Sequence, residues 1–202
     1  MKKPIMEKIA AACLGFCLAV ATAPGAAVQI EGTKSSSVKL LGDSSMHRWQ
    51  AKATALTITG KLPHEGPIAQ QVKAESLSGL SVLIGVKGLR SNEGATMDKN
   101  MRKAMELDKF PEIRFELKNY TLEGARVTAK GVLAIHGVAK DVELTGTLEG
   151  KDDTLSVKGT FDLLMSDFGV QPPVMLLGAI KVKDKVTVAF DFGLAFPKPE
   201  IK

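Results

Sequence analysis

Hydrophobic and polar residues alternate with period two along most of this chain, and the longest such run lies near its end. Ile180, Val182, Val186, Val188, Phe190, Phe192, Leu194 and Phe196 share one parity, while Lys181, Lys183, Lys185, Thr187, Ala189, Asp191, Gly193 and Ala195 hold the other. Period two puts one face against a core and the other in water. From Val186 to Phe196 such a strand would span about 35 Å at roughly 3.4 Å per residue, which suits a barrel wall better than a compact sandwich.

Shorter stripes precede it. Leu56, Ile58 and Leu62 alternate with Thr57, Thr59 and Lys61, and Leu80, Val82, Ile84 and Val86 oppose Ser81, Gly85 and Lys87. Ile113, Phe115 and Leu117 form another face. Val127, Ala129, Leu133 and Ile135 make the next, then Val142, Leu144 and Leu148, then Leu155, Val157, Phe161 and Leu163. Turns are expected at Glu123-Gly124, at Ile135-His136-Gly137, from Glu149 to Asp153 and at Lys183-Asp184-Lys185. Short, evenly spaced strands with tight turns predict an antiparallel meander in one domain.

One segment departs from period two. Between Met97 and Leu107, Met97, Met101, Ala104 and Met105 fall on one helical face, with Asp98, Lys99, Arg102, Lys103 and Glu106 around the remainder. Thr96 is placed to cap the start, and Phe110-Pro111 leads into the next strand. The fold expected is therefore all-β with one short helix, an extended antiparallel β-barrel of about eight strands with the helix closing one side or end.

The N-terminus reads as an export signal. Lys2, Lys3 and Lys8 precede an apolar run from Ile9 to Val20, and small residues from Ala21 to Ala27 offer cleavage before Val28. Residues 1–27 are read as signal peptide and 28–202 as the mature domain, exported to the periplasm, with secretion as the alternative. The chain's two cysteines, Cys13 and Cys17, both lie in the signal, so the mature domain must be held by its core rather than by disulfides. Removal of the signal takes the formal charge from +5 to +3. The charges are interspersed, and one Trp and one Tyr offer little to stack bases, so nucleic acid is not an expected partner.

Candidate chemistry is sparse. His47, His64 and His136 fall in no metal-ligand spacing, and no G-x-S-x-G elbow, phosphate loop or H-E-x-x-H is present. No catalytic residue, metal site or cofactor is assigned, and the chain is read as a non-enzyme. Gly131, Gly146 and Gly159 occupy the apolar parity of their strands, where each gives up a packing side chain. Either barrel corners bend there, or the interior needs room. Met97, Met101 and Met105 are unbranched and adaptable, suited to a core or to a wall facing a flexible lipid.

Four segments in order resemble the YceI-like family of exported lipid- or polyisoprenoid-binding proteins. They are Gly42 to Trp49, Leu107 to Phe115 with its F-P-E-I-R-F run, Lys130 to Lys140, and the aspartate-phenylalanine-glycine turn at Asp167-Phe168-Gly169. Ala134 and Ala139 stand where the family usually has threonine, Asp43 replaces a threonine, and Arg48 replaces an aspartate. The resemblance implies a lipocalin-like barrel holding an isoprenoid, quinone or other amphipathic lipid, as carrier or reservoir. It leaves room for transient membrane contact and leaves the oligomeric state open. Two alternatives stand beside it: a structural or interaction barrel with a filled core, and an enzyme acting on an amphipathic small molecule through His47 or His136 with a carboxylate. Inward parity selects Ile84, Phe115, Leu133, Phe161, Val188 and Phe190 as cavity lining, and helical phase adds Met101 and Met105. Trp49 and Phe110 join them from their places in the family-like motifs, and Gly131 and Gly159 are expected to leave space beside them.

Overall fold

In the computed structural model, residues 27–197 are described, Asp152 excepted. All of the expected signal segment but Ala27, and both cysteines with it, therefore lie outside the described residues. The strands are β1 (Val28–Gly32), β2 (Ser37–Ser44), β3 (Arg48–Ala53), β4 (Leu56–Leu62), β5 (Ser78–Gly85) and β6 (Leu89–Ser91). They continue with β7 (Glu112–Glu123), β8 (Arg126–Ile135), β9 (Val138–Lys151), β10 (Thr154–Leu164), β11 (Val174–Met175) and β12 (Ile180–Ala195). Helix α1 (Ile68–Lys73) lies between β4 and β5, and α2 (Ala95–Ala104) between β6 and β7.

Eleven of the twelve segments build eight walls, and β11 pairs only with the start of β12. β1 pairs with β4 and β2 with β3, so β1–β2 and β3–β4 are two bent strands side by side. β4 pairs with β5 and β3 with β6, which makes β5–β6 the third. From there β7, β8, β9, β10 and β12 follow in sequence, each antiparallel to the last. β12 closes the ring by pairing with β2 along most of its length and with β1 at Leu194 and Ala195. Closure removes the exposed edges that an open sheet of this size would present.

Turn chemistry matches the hairpins. His136 and Gly137 carry φ of +52° and +76° between the paired Ile135 and Val138, a two-residue connection whose twist suits the flanking strands. The turn expected at Lys183-Asp184-Lys185 is absent. β12 runs through it, with a register shift between Val182 and Val186. Asp184 holds the bulge: its carboxylate accepts from Ser166 N at 2.8 Å and from the Ser166 hydroxyl, and its carbonyl accepts from Met165 N at 3.0 Å.

Helix α2 starts two residues before the predicted segment, after Gly94, and ends three residues sooner. Leu107 N donates to Arg102 O and Glu106 N to Lys103 O, both at 3.1 Å, closing the helix with Glu106 at φ +43° where glycine is commonest. Asp98, placed by helical phase on the wet side, is buried. Its Oδ1 accepts from Ser91 N at 2.6 Å, and its Oδ2 lies 3.7 Å from both Arg90 and Arg102, which ties α2 to β6. Those contacts hold the Asp98 carboxyl below its ordinary range, the Ser91 amide contributing most. The sequence pattern gave no sign of α1, whose six residues are too few to show a helical period. Ile68, Ala69 and Val72 of α1 are buried in a cluster with Ile30, Leu62 and Leu194. A second cluster, at the other end of the barrel, gathers Val38, Trp49, Val186 and the α2 methionines Met97 and Met101.

Candidate functional site

A cavity of about 220 Å³ runs through the barrel between the two helix-capped ends. Its lining includes Val72 of α1 and Tyr120, Val127 and Leu148 at one end, with Met97, Met101 and Met105 at the other. The side chains around it are apolar, and the two that carry a polar atom turn it toward backbone. The Tyr120 hydroxyl donates to Val72 O at 2.9 Å and accepts from Leu77 N at 3.2 Å. The Trp49 indole N–H donates to Asp43 O at 3.3 Å. Burial, more than any neighbouring charge, pushes the Tyr120 phenol above its usual range.

Of the residues singled out from sequence, Trp49, Ile84, Met101, Met105, Phe115, Leu133, Phe161, Val188 and Phe190 all line this cavity. Phe110 does not. It follows the α2 terminus, where its N–H donates to Glu106 O at 2.9 Å, and its ring packs on His136 with centroids 4.5 Å apart. There it covers Gly137, whose missing Cβ would stand 2.6 Å from the Phe110 ring.

The strand glycines do not leave empty space. A Cβ on Gly131 would lie 2.3 Å from Glu116 O and 2.7 Å from the Phe115 ring. On Gly159 it would lie 2.4 Å from Thr145 O and 2.5 Å from the Phe190 ring, and on Gly42 it would meet Trp49 at 2.1 Å. Each glycine gives its room to an aromatic ring from the neighbouring strand. The ring covers the wall and the lumen stays open, so these positions serve the cavity indirectly.

Sequence parity missed one part of the lining for a structural reason. β7 pairs Leu117 with Gly131 but Asn119 with Lys130, leaving Lys118 as an extra residue. Before the bulge the odd positions Ile113, Phe115 and Leu117 face inward, and after it the even position Tyr120 does. Two successive exposed residues, Lys118 and Asn119, were the available signal.

Neither histidine proposed for an enzymatic site borders the cavity. His47 is exposed on the β2–β3 turn, with Nε2 3.8 Å from Glu93. His136 lies in the β8–β9 turn, largely buried against Phe110, with Nε2 3.4 Å from Glu106. Among the described residues, no three His, Cys, Asp or Glu side chains gather as a metal site would require.

An eight-walled closed barrel with this helix arrangement and an apolar interior accords with the family to which the four sequence segments pointed. The model of the YceI-like domain matches residues 31–194. This chain belongs to the YceI-like family. Solved structures show the same fold at low identity. BcnA of Burkholderia cenocepacia superposes with a TM-score of 0.62 at 16% identity, covering 79% of this chain and 96% of that one. A polyisoprenoid binding domain from Saccharophagus degradans, implicated in plant cell wall breakdown, gives a TM-score of 0.63 at 11% identity, covering 85% and 99%. The Campylobacter jejuni YCEI protein gives 0.58 at 17% identity, covering 73% and 84%. No curated protein matches the sequence.

Proposed function

We propose that this protein is a non-enzymatic carrier or reservoir that holds the apolar tail of an isoprenoid-type lipid or a quinone inside its barrel. The observation that carries this reading is the cavity itself, apolar throughout, with its two polar handles already bonded to backbone carbonyls. A volume of about 220 Å³ falls below the ~300–1,000 Å³ of drug-sized pockets. Such a space favours a slender chain over a bulky head group, which would remain at a barrel end. The adaptable Met97, Met101 and Met105 side chains at one end suit an occupant of variable shape.

The energetics are sufficient without a polar anchor. Each five-carbon isoprene unit contributes roughly 3–4 kcal/mol when buried, at about 0.8 kcal/mol per methylene-sized group. Association costs of about 4–15 kcal/mol are offset by a few such units. Recognition then rests on the tail and discriminates weakly between head groups.

The N-terminal reading supports an exported, periplasmic protein whose mature domain begins near Val28, acting on lipid outside the cytoplasm. Native mass spectrometry of protein purified from its own host, followed by organic extraction, tests the ligand class. A stoichiometric prenyl lipid or quinone is the expected result. Failure to recover lipid, together with no saturable binding of a fluorescent prenyl probe to the delipidated protein, would overturn the proposal.

A further inference from the structure

The largest exposed apolar side chains gather at the α2 end of the barrel. Met46 is 66% exposed at the tip of the β2–β3 turn, Val174 is 61% exposed in β11, and Leu177 is fully exposed at the tip of the β11–β12 hairpin. Isolated surface hydrophobes are ordinary, but these belong to one built rim. Ser45 N donates to Lys181 O at 2.9 Å, Lys181 N donates to Ser45 Oγ at 3.1 Å, and Ser45 Oγ donates to Ala179 O at 3.3 Å. The turn that carries Met46 is thus stitched to the hairpin that carries Val174 and Leu177. Beneath, Met175 Sδ accepts from Asn100 Nδ2 of α2 at 3.0 Å, and Val182 N donates to Pro173 O at 3.0 Å. Pro173 and Val182 themselves line the cavity, so the rim stands directly over one end of it.

Two further features point to what the rim meets. Leu177 holds φ +54° and ψ +31°, a left-handed conformation that a leucine adopts at a cost and that here presents its side chain wholly to solvent. The surrounding charge is basic. Lys181, Lys99 and Lys103 are exposed at this end with no ion-pair partner among the described residues, and Arg48, also exposed, lies across from Asp43, whose carboxylate its charge helps to depress. Lys183 is neutralised by Asp43 at 2.7 Å. An apolar tip set within unpaired cations matches an anionic lipid surface, whose acyl region takes the tip and whose phosphates meet the cations.

We propose that the β2–β3 turn and the β11–β12 hairpin form a membrane-docking tip, through which the α2 end of the barrel seats on an anionic bilayer. The inference deepens the lipid-carrier reading, because it names the surface from which a tail would enter the barrel. It rests on that reading for its purpose but not for its test.

The test is sedimentation of the delipidated protein, residues 28–202, with vesicles of phosphatidylethanolamine and phosphatidylglycerol, beside vesicles of phosphatidylcholine alone. Binding to the anionic vesicles alone, weakening as salt rises, is expected. Leu177→Asp should lower it by about tenfold or more, and Lys181→Gln by about fivefold. Both positions are exposed, so folding should be unaffected, and an unchanged melting curve checks this. Binding of a soluble fluorescent prenyl probe should be unaltered in both variants. Equal binding to neutral vesicles, or undiminished binding by Leu177→Asp, would overturn the docking tip while leaving the cavity reading standing. Self-association of the wild type that Leu177→Asp abolishes would overturn it too, assigning the rim to a second copy of this chain. Vesicle binding that follows the expected pattern in a protein that takes no prenyl probe supports the tip and removes the carrier reading instead.

Discussion

Phe190 on β12 pairs with Gly159 on β10, and its ring occupies the volume a Cβ at position 159 would need, with Cζ 2.5 Å from that point. Trp49 and Gly42 repeat the arrangement across β2 and β3, and the Phe115 ring fills the same volume at Gly131 from a diagonal position, its own register partner being Leu133. Pairing a glycine with a neighbouring aromatic recovers the packing that glycine gives up, and it lets a large ring lie along the wall rather than across the lumen.

Gly159→Ala is therefore expected to cost about 1–3 kcal/mol, the range of an overpacked core. The methyl group must displace both the Phe190 ring and the Thr145 carbonyl, 2.4 Å away. Trimming the ring should help little, because the carbonyl stays. In a double-mutant cycle by urea unfolding, Phe190→Leu should fail to restore Gly159→Ala. Full rescue would show that the ring alone excludes the methyl.

Much of this was legible in the sequence, and the gaps have specific causes. The stripe from Val186 to Leu194 gave the wall and its inward face directly, because that stretch pairs in unbroken register with β10. Parity failed on β7 at Lys118, where one extra residue turns the inward set from odd to even and hides Tyr120. The charges of Lys183, Asp184 and Lys185 mimic a turn, but two of them form strand-to-strand ion pairs, Lys183 with Asp43 and Lys185 with Asp162, each at 2.7 Å. Phe110 shares a motif with the strand that follows it, yet the backbone turn at Glu106 points it to His136. Glycine parity identified positions of importance without showing what fills them, since the filling ring belongs to another strand.

Tyr120 offers a second test, because it is the only tyrosine in the chain. Its hydroxyl joins Val72 of α1 to Leu77, just before β5. Tyr120→Phe should leave the part-buried Leu77 amide without its partner, while the Val72 carbonyl keeps the Glu75 N–H, and cost about 1–3 kcal/mol. Hydrogen exchange at Leu77 should quicken more than at the α2 end. The phenol's pKa is raised by burial, so the stability it contributes is intact below the unfolded value near 10 and is lost as pH rises through the folded one. Ultraviolet titration should show native Tyr120 ionising later than in the unfolded chain.

Asp98 gives the opposite pH dependence. Its carboxyl is depressed chiefly by the Ser91 amide, so its contribution is present above the unfolded pKa near 3.9 and declines as pH falls through the lower folded value. Asp98→Ala should remove that decline and cost about 1–3 kcal/mol at neutral pH by stranding the Ser91 N–H. Acid unfolding of wild type and variant side by side, followed by circular dichroism from pH 5 downward, checks both. Parallel curves would show that Asp98 does not sense the acid limb.

The strongest test of an open interior compares Ala129 with Gly131 on the same strand. Ala129 lines the cavity, whereas a side chain at Gly131 would run into Glu116 O at 2.3 Å. Gly131→Leu should thus damage the fold whether or not the barrel holds lipid. Ala129→Leu should instead extend into free volume and cost less than about 1 kcal/mol, against about 1–3 kcal/mol in a filled core. By taking volume from the tail it should weaken a fluorescent prenyl probe, by about tenfold where it displaces two methylene-sized groups at about 0.8 kcal/mol each. Melting of the delipidated variants beside the probe titration separates the effects. A stability loss at Ala129→Leu as large as at Gly131→Leu, with probe binding unchanged, would mean that the interior is packed and the ligand lies elsewhere.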